Sequence, residues 1–125
     1  MGTVWVVHPV SLDLGSARNW GTLRYVNDDF TYPDEVTNMG LPAAVAERLV
    51  GAAREFSELF DYLLLVGDHL QLMQLGLLLA EQHKSYYVLR WDRIAQGYYQ
   101  VKMNFSTYPH PLTRRTPPAI VPSPI

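Results

Sequence analysis

The sequence predicts a single α/β domain of three layers with a mostly parallel sheet, followed by a proline-rich tail. Short β-rich runs alternate with longer stretches of helical periodicity, which is the pattern of βαβ units. The run Tyr-Leu-Leu-Leu-Val at residues 62–66 is apolar throughout, as expected of a central strand covered on both faces. Six of the nine prolines fall in the last 20 residues. We therefore assign residues 1–105 to one domain and residues 106–125 to an extended tail.

The first strand is predicted at residues 3–7, because Thr-Val-Trp-Val-Val is rich in β-branched and aromatic residues. It ends at His8, since a residue that precedes proline disfavours helical geometry. Residues 12–20 are expected to form a short helical or looped segment, with Ser11 or Asp13 available as its cap.

A second strand is predicted at residues 22–26, followed by a long surface loop at residues 28–41, which hold proline, glycine and several acids. Pro42 suits the first position of a helix, where its missing N–H is harmless. The apolar residues that follow have the spacing of one helix stripe: Val45, Leu49, Ala53 and Phe56. The pattern indicates an amphipathic helix that packs on the sheet.

The central strand at residues 62–66 ends at Gly67 and Asp68, where Asp68 is placed to cap the next helix. That helix, at residues 69–83, is apolar nearly all round, with only a few Gln and Glu among its Leu and Met residues. So apolar a helix is either deeply buried or also faces a partner. Its candidate partner-contacting residues are Leu72, Leu75 and Leu79.

The fourth strand is predicted at residues 86–91, a turn at residues 95–97, and an antiparallel edge strand at residues 98–105. The resulting order is β-α-β-α-β-α-β-β, with the first four strands largely parallel. It indicates a small Rossmann- or flavodoxin-like sheet with an antiparallel edge hairpin.

The composition argues against several function classes. The net charge is −2 overall and −4 without the tail, whereas nucleic-acid binding requires clustered Lys and Arg. The absence of cysteine excludes disulfides, thiolate metal ligands and thiol nucleophiles. The four histidines share no metal-ligand spacing, so we expect no metal and no cofactor. We expect neither a secretion signal nor a transmembrane segment, because no basic region precedes an apolar run and no run approaches the roughly 20 residues of a span.

A candidate ligand site lies where the strands end, since ligands of open parallel sheets bind beyond the carboxyl ends of the strands. The predicted strand and turn ends bring seven residues toward this edge: His8, Asp28, Gly67, Asp68, His69, Trp91 and Asp92. Two histidines and several carboxylates could support acid–base chemistry there, and the turn before the helix exposes N–H groups to an anion. This is the basis of one hypothesis, a small nucleotide- or anion-binding enzyme.

Each of these residues also has a plainer interpretation. An aspartate at a Gly-Asp junction is more often a helix cap than a catalytic acid, and its carboxylate would repel an anion. His8 before proline would simply end a strand, and His69 in the first helical turn would be exposed to solvent. Asp92, which lies between two arginines in sequence, would form local ion pairs of little energetic value.

Two stretches of the sequence resemble a group of small α/β proteins encoded by tailed bacteriophages. These are the strand that ends in Gly67-Asp68, with its following helix, and Arg90-Trp91-Asp92-Arg93 with the tyrosine-containing return strand. The likeness is close over residues 59–102 and extends to residues 3–58 only in layout. The sequence departs from the group's pattern where His69 replaces the usual proline, where the helix is Leu- and Met-rich instead of Ala-rich, and in its additional tail. The resemblance implies a phage origin but does not indicate an enzymatic activity.

The favoured function is therefore a non-catalytic interaction protein. The sequence shows no set of residues typical of a catalytic site. The helix at residues 69–83 has more apolar residues than one buried face requires, and the tail is expected to be extended and is basic. We expect a protein partner, either a virion component or a host protein, with homo-oligomerisation possible and a location in the virion or the host cytoplasm. The tail residues expected to contact the partner are Pro109, Pro111, Arg114, Arg115, Pro117 and Pro118.

Overall fold

The computed structural model describes residues 2–28 and 41–104. Its strands are β1 (Thr3–Val6), β2 (Thr22–Tyr25), β3 (Tyr62–Leu64), β4 (Ser85–Asp92) and β5 (Gly97–Asn104). Its helices are a 3₁₀ helix (Gly15–Asn19), α1 (Ala43–Glu55) and α2 (His69–Gln82). Each predicted element of the described residues is present, although several bounds differ by one to three residues. Most of the predicted loop and all of the predicted tail lie outside the described residues.

The strands form one five-stranded sheet in the order β2-β1-β3-β4-β5. β1 pairs in parallel with both β2 and β3, and β3 pairs in parallel with β4. β4 and β5 form an antiparallel hairpin in which Val88 lies opposite Val101. The prediction of a mostly parallel sheet with an antiparallel edge hairpin is confirmed, and the strand order is that of flavodoxin-like sheets.

Both α-helices lie on the same face of the sheet. The buried residues of this layer come from α1, α2 and the strands beneath them: Trp5, Val7, Leu49, Ala52, Ala53, Phe56, Leu63, Leu75, Leu79, Tyr86 and Val88. The opposite face is covered by the 3₁₀ helix and the residue before it, which pack on the other side of the same strands. Its buried residues are Val4, Val6, Leu14, Ala17, Leu64 and Leu89. Since β3 contributes Leu63 to one face and Leu64 to the other, it is the doubly covered central strand that its apolar run predicts.

The start of α1 corrects one prediction. Pro42 is the N-cap of α1 and not its first helical residue, because its ψ of 146° is extended. Its carbonyl oxygen accepts the first helical hydrogen bond, from the backbone N–H of Ala46 at 2.9 Å. A proline satisfies this position as well as the predicted one, since its missing N–H has no helical partner at either.

The amino edge of the sheet is closed by one buried carboxylate. Asp61 is only 7% exposed, and it accepts hydrogen bonds from the backbone N–H of Thr3 and the indole N–H of Trp5, at 2.9 and 3.0 Å. The backbone N–H of Ser57 donates to the same side chain at 2.9 Å. Because three donors converge on it, Asp61 ties the start of β1 to the segment between α1 and β3. At the opposite, carboxyl edge of the sheet lie the loops that follow β1, β2 and β3.

Candidate functional site

The carboxyl edge of the sheet contains a topological switch point between β1 and β3. The chain leaves β1 through the 3₁₀ helix on one face, and it leaves β3 through α2 on the other face. The two connections therefore diverge and leave a crevice above the strand ends, which is the usual ligand position in such sheets. The residues that follow β1 and β3 determine what this crevice contains.

His8 spans the crevice and is 3% exposed. Its Nε2 accepts a hydrogen bond from the backbone N–H of Asp68 at 2.8 Å, and its Nδ1 lies 2.8 Å from the carbonyl oxygen of Pro9. Because a backbone N–H can only donate, Nε2 must be unprotonated, and Nδ1 carries the proton that Pro9 accepts. Both ring nitrogens are thus engaged with the backbone. His8 joins the loop after β1 to the turn after β3.

Gly67 makes this contact possible. Its φ is +108°, and a Cβ at this position would lie 2.7 Å from Cγ2 of Val7 and 3.0 Å from Nε2 of His8. Only glycine adopts this backbone geometry without strain and lets the turn approach the histidine. Asp68 then caps α2, because its Oδ2 accepts from the backbone N–H of Gln71 at 3.1 Å. The cap interpretation of Asp68 is confirmed.

Two buried amides at this edge were not predicted from the sequence. Nδ2 of Asn27, which follows β2, donates to Oε1 of Gln71 at 3.0 Å, and the two residues are 4% and 0% exposed. The pair links the β2 end to the first turn of α2. The burial of Gln71 could have been predicted from the sequence. Gln71, Leu75 and Leu79 are spaced four residues apart, so they lie on the same face of the helix.

The other predicted carboxyl-edge residues do not converge on one ligand. Asp28 forms an exposed ion pair with Arg48 at 3.3 Å, and His69 is exposed. The predicted ion pairs of Asp92 are replaced by a turn cap, because its Oδ1 accepts from the backbone N–H groups of Ile94 and Ala95, at 2.9 and 3.3 Å. The residues predicted as one acid–base site thus serve separate loops and helix ends.

A cavity of about 310 Å³ nevertheless opens at this edge, on the face of the 3₁₀ helix. Trp91 of β4, one of the seven predicted edge residues, lines it, whereas its other lining residues are not among those predicted from the sequence. They are Leu12, Asp13, Val66 and Tyr98. The rings of Trp91 and Tyr98 are in edge-to-face contact, with centroids 5.0 Å apart and planes at 70°. We refer to this space as the aromatic cavity.

Asp13 and Tyr98 are the polar residues among those of the described chain that line the aromatic cavity. Asp13 is held by the backbone N–H of Gly15, which donates to its Oδ1 at 2.8 Å. Burial raises the pKa of the Tyr98 hydroxyl, and the negative charge of Asp13 raises it further. The hydroxyl therefore remains neutral at physiological pH and is available both to donate and to accept a hydrogen bond.

The helix face predicted to contact a partner requires a correction. Leu75 and Leu79 are 1% and 0% exposed and belong to the core, and Leu72 is half-buried against the same core. They point toward the sheet, because they share the face of α2 that packs on β3 and β4. The exposed apolar residues of this helix form a different line, the outer stripe of α2, which consists of Leu70, Met73 and Leu77.

The described part of the chain contains neither a metal-ligand cluster nor a helix that could span a membrane. Within residues 2–28 and 41–104, no group of three His, Asp or Glu side chains is placed to hold a metal ion. No α-helix in this part is long and apolar enough to span a membrane. The predicted tail contacts, from Pro109 to Pro118, lie outside the described residues.

The sequence of the described domain matches a family model. A family model described as Phage Pam3 gp32-like protein matches residues 3–105. The match spans the sheet and both helices and ends where the proline-rich composition begins. No curated protein and no solved structure matches the chain.

Proposed function

The chain belongs to the Phage Pam3 gp32-like family, and from this membership we propose that it is a non-catalytic interaction protein that docks onto another protein of the phage particle. The observation that carries this proposal is the outer stripe of α2. Leu70, Met73 and Leu77 are 59%, 69% and 62% exposed, on the side of the helix opposite the buried Leu75 and Leu79.

The stripe is continuous along the helix. Its members lie at positions i, i+3 and i+7, which places their side chains on one face over two turns. A partner that covered the exposed part of each side chain would gain roughly 1 to 2 kcal/mol per residue. Contiguous exposed apolar surface is a feature of protein–protein contact sites, and this line supports such a role for α2.

The carboxyl edge supports a non-catalytic role. Both nitrogens of His8 bind backbone groups, and the side chains of Asp68 and Asp92 accept backbone N–H groups at a helix start and a turn. Groups held in this way contribute to positioning the chain, whereas a general acid or base must reach a substrate proton.

The charges beside the stripe indicate what the partner surface carries. Glu81 is exposed one turn beyond Leu77, and the last turn of α2 has no basic residue to offset the negative end of the helix. Residues 1–105 have a net charge of −4. A complementary partner therefore presents an apolar groove with a basic rim, which gives specificity and faster association. In this proposal Arg114 and Arg115 of the tail contact a second, acidic part of the partner.

The test is incorporation of the protein into purified phage particles, measured by quantitative mass spectrometry against the major capsid protein. Met73→Ser combined with Leu77→Ser is expected to reduce incorporation about tenfold, which corresponds to about 1.4 kcal/mol. The matched control is Glu47→Ser combined with Arg54→Ser, two exposed positions of α1 that are expected to leave incorporation unchanged.

Two outcomes would contradict the proposal. The first is a wild-type protein that is absent from particles, which would remove the virion role. The second is normal incorporation of the Met73 and Leu77 variant, which would show that the stripe does not contribute to docking. Circular dichroism establishes separately that the variant is folded, so that reduced incorporation is not caused by unfolding. Replacement of Arg114 and Arg115 by serine in the same assay tests the tail, with reduced incorporation expected.

A further inference from the structure

The aromatic cavity is built by residues from four separate segments that meet at the carboxyl edge of the sheet. Leu12 and Asp13 follow β1, Val66 follows β3, Trp91 lies near the end of β4, and Tyr98 lies near the start of β5. We propose that this cavity binds a small organic amine, with the ring or apolar body of the ligand against Trp91 and its ammonium group at Asp13. The proposal is independent of the outer stripe of α2.

The size of the cavity favours a ligand of about one ring. Its volume of about 310 Å³ lies at the lower end of the range for small-molecule pockets, roughly 300 to 1,000 Å³. It lies at the carboxyl edge of the sheet, beside the end of β4 and the start of β5, and ligands of open parallel sheets bind at this edge.

The walls favour an apolar body. Leu12 and Trp91 are 63% and 41% exposed, and a ligand between them would cover apolar surface that now faces solvent. Trp91 and Tyr98 already contact each other edge to face, so the two rings are held in place before a ligand enters. Ordered aromatic walls reduce the entropy lost on binding.

The charge of the lining selects a cation over an anion. Asp13 is the charged residue among the five lining residues, and no Lys or Arg of residues 2–28 and 41–104 joins it there. The Gly15 N–H fixes one oxygen of Asp13, and the carboxylate keeps a second oxygen with which to accept from an ammonium group. An ammonium near the indole of Trp91 would gain a further cation–π attraction, for which tryptophan is the strongest partner. Phosphates and carboxylates would be repelled.

The tail of the same chain is the alternative occupant. Its attachment point is remote, because β5 runs from Gly97 at the cavity edge to Asn104 at the opposite edge, where Asn104 pairs with Ser85. A chain that starts at Asn104 would have to return along the whole length of β5 to reach Trp91. The 21 residues after Asn104 are long enough to do so, and occupation of the cavity by the tail is therefore one outcome of the experiment, in which added probe gives no saturable shift of Trp91.

The experiment uses the full chain and two probes that share a ring and differ in charge, phenethylamine and 3-phenylpropionate. Binding is followed by NMR through the three indole N–H signals, with that of Trp91 identified by its loss in Trp91→Phe. Phenethylamine is expected to shift the Trp91 signal saturably and to leave the signals of Trp5 and Trp20 in place. 3-Phenylpropionate is expected to bind at least about tenfold more weakly.

Asp13→Asn is the diagnostic variant, because its amide oxygen can still accept from Gly15 while the charge is lost. It is expected to weaken phenethylamine about tenfold, whereas the matched Asp28→Asn, at an exposed carboxylate outside the cavity, leaves the affinity unchanged. Equal binding of the two probes, an unaltered affinity of Asp13→Asn, or no saturable shift of Trp91 in the full chain would each overturn the proposal. The unmoved Trp5 and Trp20 signals establish that each variant is folded.

Discussion

At the scale of single residues, the carboxyl edge depends on the close approach of Gly67 to His8. The ring of His8 accepts the N–H that follows Gly67 in the chain, and there is no room for a Cβ between them. The histidine and the glycine are therefore one structural unit. This unit sets the separation of the β1 and β3 loops, between which ligands of this sheet type bind.

Gly67→Ala is expected to destabilise the protein by about 3 kcal/mol. The estimate combines the strain of a positive φ in a residue with a Cβ, about 1 to 3 kcal/mol, with a similar cost for overpacking against Val7 and His8. The measurement is urea unfolding followed by circular dichroism. Gly51→Ala is the matched control, because a Cβ there meets nothing within 4 Å and alanine improves helix α1 by about 0.5 to 1 kcal/mol. The two Gly→Ala substitutions should thus change the free energy of unfolding in opposite directions. A Gly67→Ala variant that is more stable than the wild type would show that Gly67 is not required at this turn.

At the scale of one element, α2 has two apolar lines with different environments. Leu75 and Leu79, with Gln71 at the amino end of the same line, face the core, whereas Met73 and Leu77 on the opposite side are exposed. Its sequence is nearly uniformly apolar and gives the helix only weak amphipathic character. The sheet, not the contrast between polar and apolar residues, determines which leucines are buried.

Leu75→Ala is expected to cost about 3 kcal/mol of unfolding free energy, since it empties a fully buried leucine site. Leu77→Ala, the same substitution two residues along, is expected to change stability by less than about 0.5 kcal/mol because Leu77 is 62% exposed. Chemical denaturation of both variants under identical conditions gives the comparison. Similar losses in the two variants would indicate that the outer stripe is covered within the chain itself and is not available to a partner.

At the scale of the whole molecule, the sheet places two tyrosine hydroxyls where ionisation is disfavoured. Tyr86 lies in the core beneath α2, and its hydroxyl donates to the carbonyl of Gly76 at 3.3 Å. Burial raises the pKa of Tyr86 above its usual value of 10.0, and burial together with Asp13 raises that of Tyr98. A tyrosine in the unfolded chain ionises near pH 10, so the unfolded state gains stability above that pH.

The stability of the protein is therefore expected to be independent of these two groups below about pH 10 and to fall as pH rises from there through their folded-state pKa values. Tyr86→Phe keeps the ring and removes the ionising hydroxyl. The free energy of unfolding of this variant should therefore fall less steeply with rising pH than that of the wild type. At neutral pH the substitution should cost about 1 kcal/mol through the lost hydrogen bond. The check is a series of urea unfolding curves from about pH 8 to about pH 11. Parallel declines for wild type and variant would contradict the assignment to Tyr86.

Much of the architecture could be predicted from local patterns. The apolar run before Gly67 fixes a central strand, the Gly-Asp junction gives a capped helix start, and the two tyrosine-rich segments give a hairpin. Periodicity and turn chemistry are properties of neighbouring residues, so they are readable without the fold. The phage resemblance of residues 59–102 belongs with these local signals, and the family match confirms it.

The candidate site could be predicted only in its location and in Trp91. Asp13 and Tyr98 are 85 positions apart in the chain, and they meet because β5 returns antiparallel to β4. The engagement of His8 with the N–H of Asp68 likewise depends on the parallel alignment of β1 and β3. Neither contact can be predicted from neighbouring residues, so the sequence alone leaves an acid–base role for His8 open.

Local sequence patterns suffice to predict the α/β class, the order of the elements and the edge at which a candidate site lies, because these follow from residue periodicity and from the direction of parallel strands. Which leucines of α2 are buried, and which polar side chains bind backbone groups, is set by the three-dimensional packing. The same packing determines which residues line the cavity. These features depend on contacts between segments far apart in the chain, and the physical cause is that burial and hydrogen-bond pairing are set by the packing of whole elements.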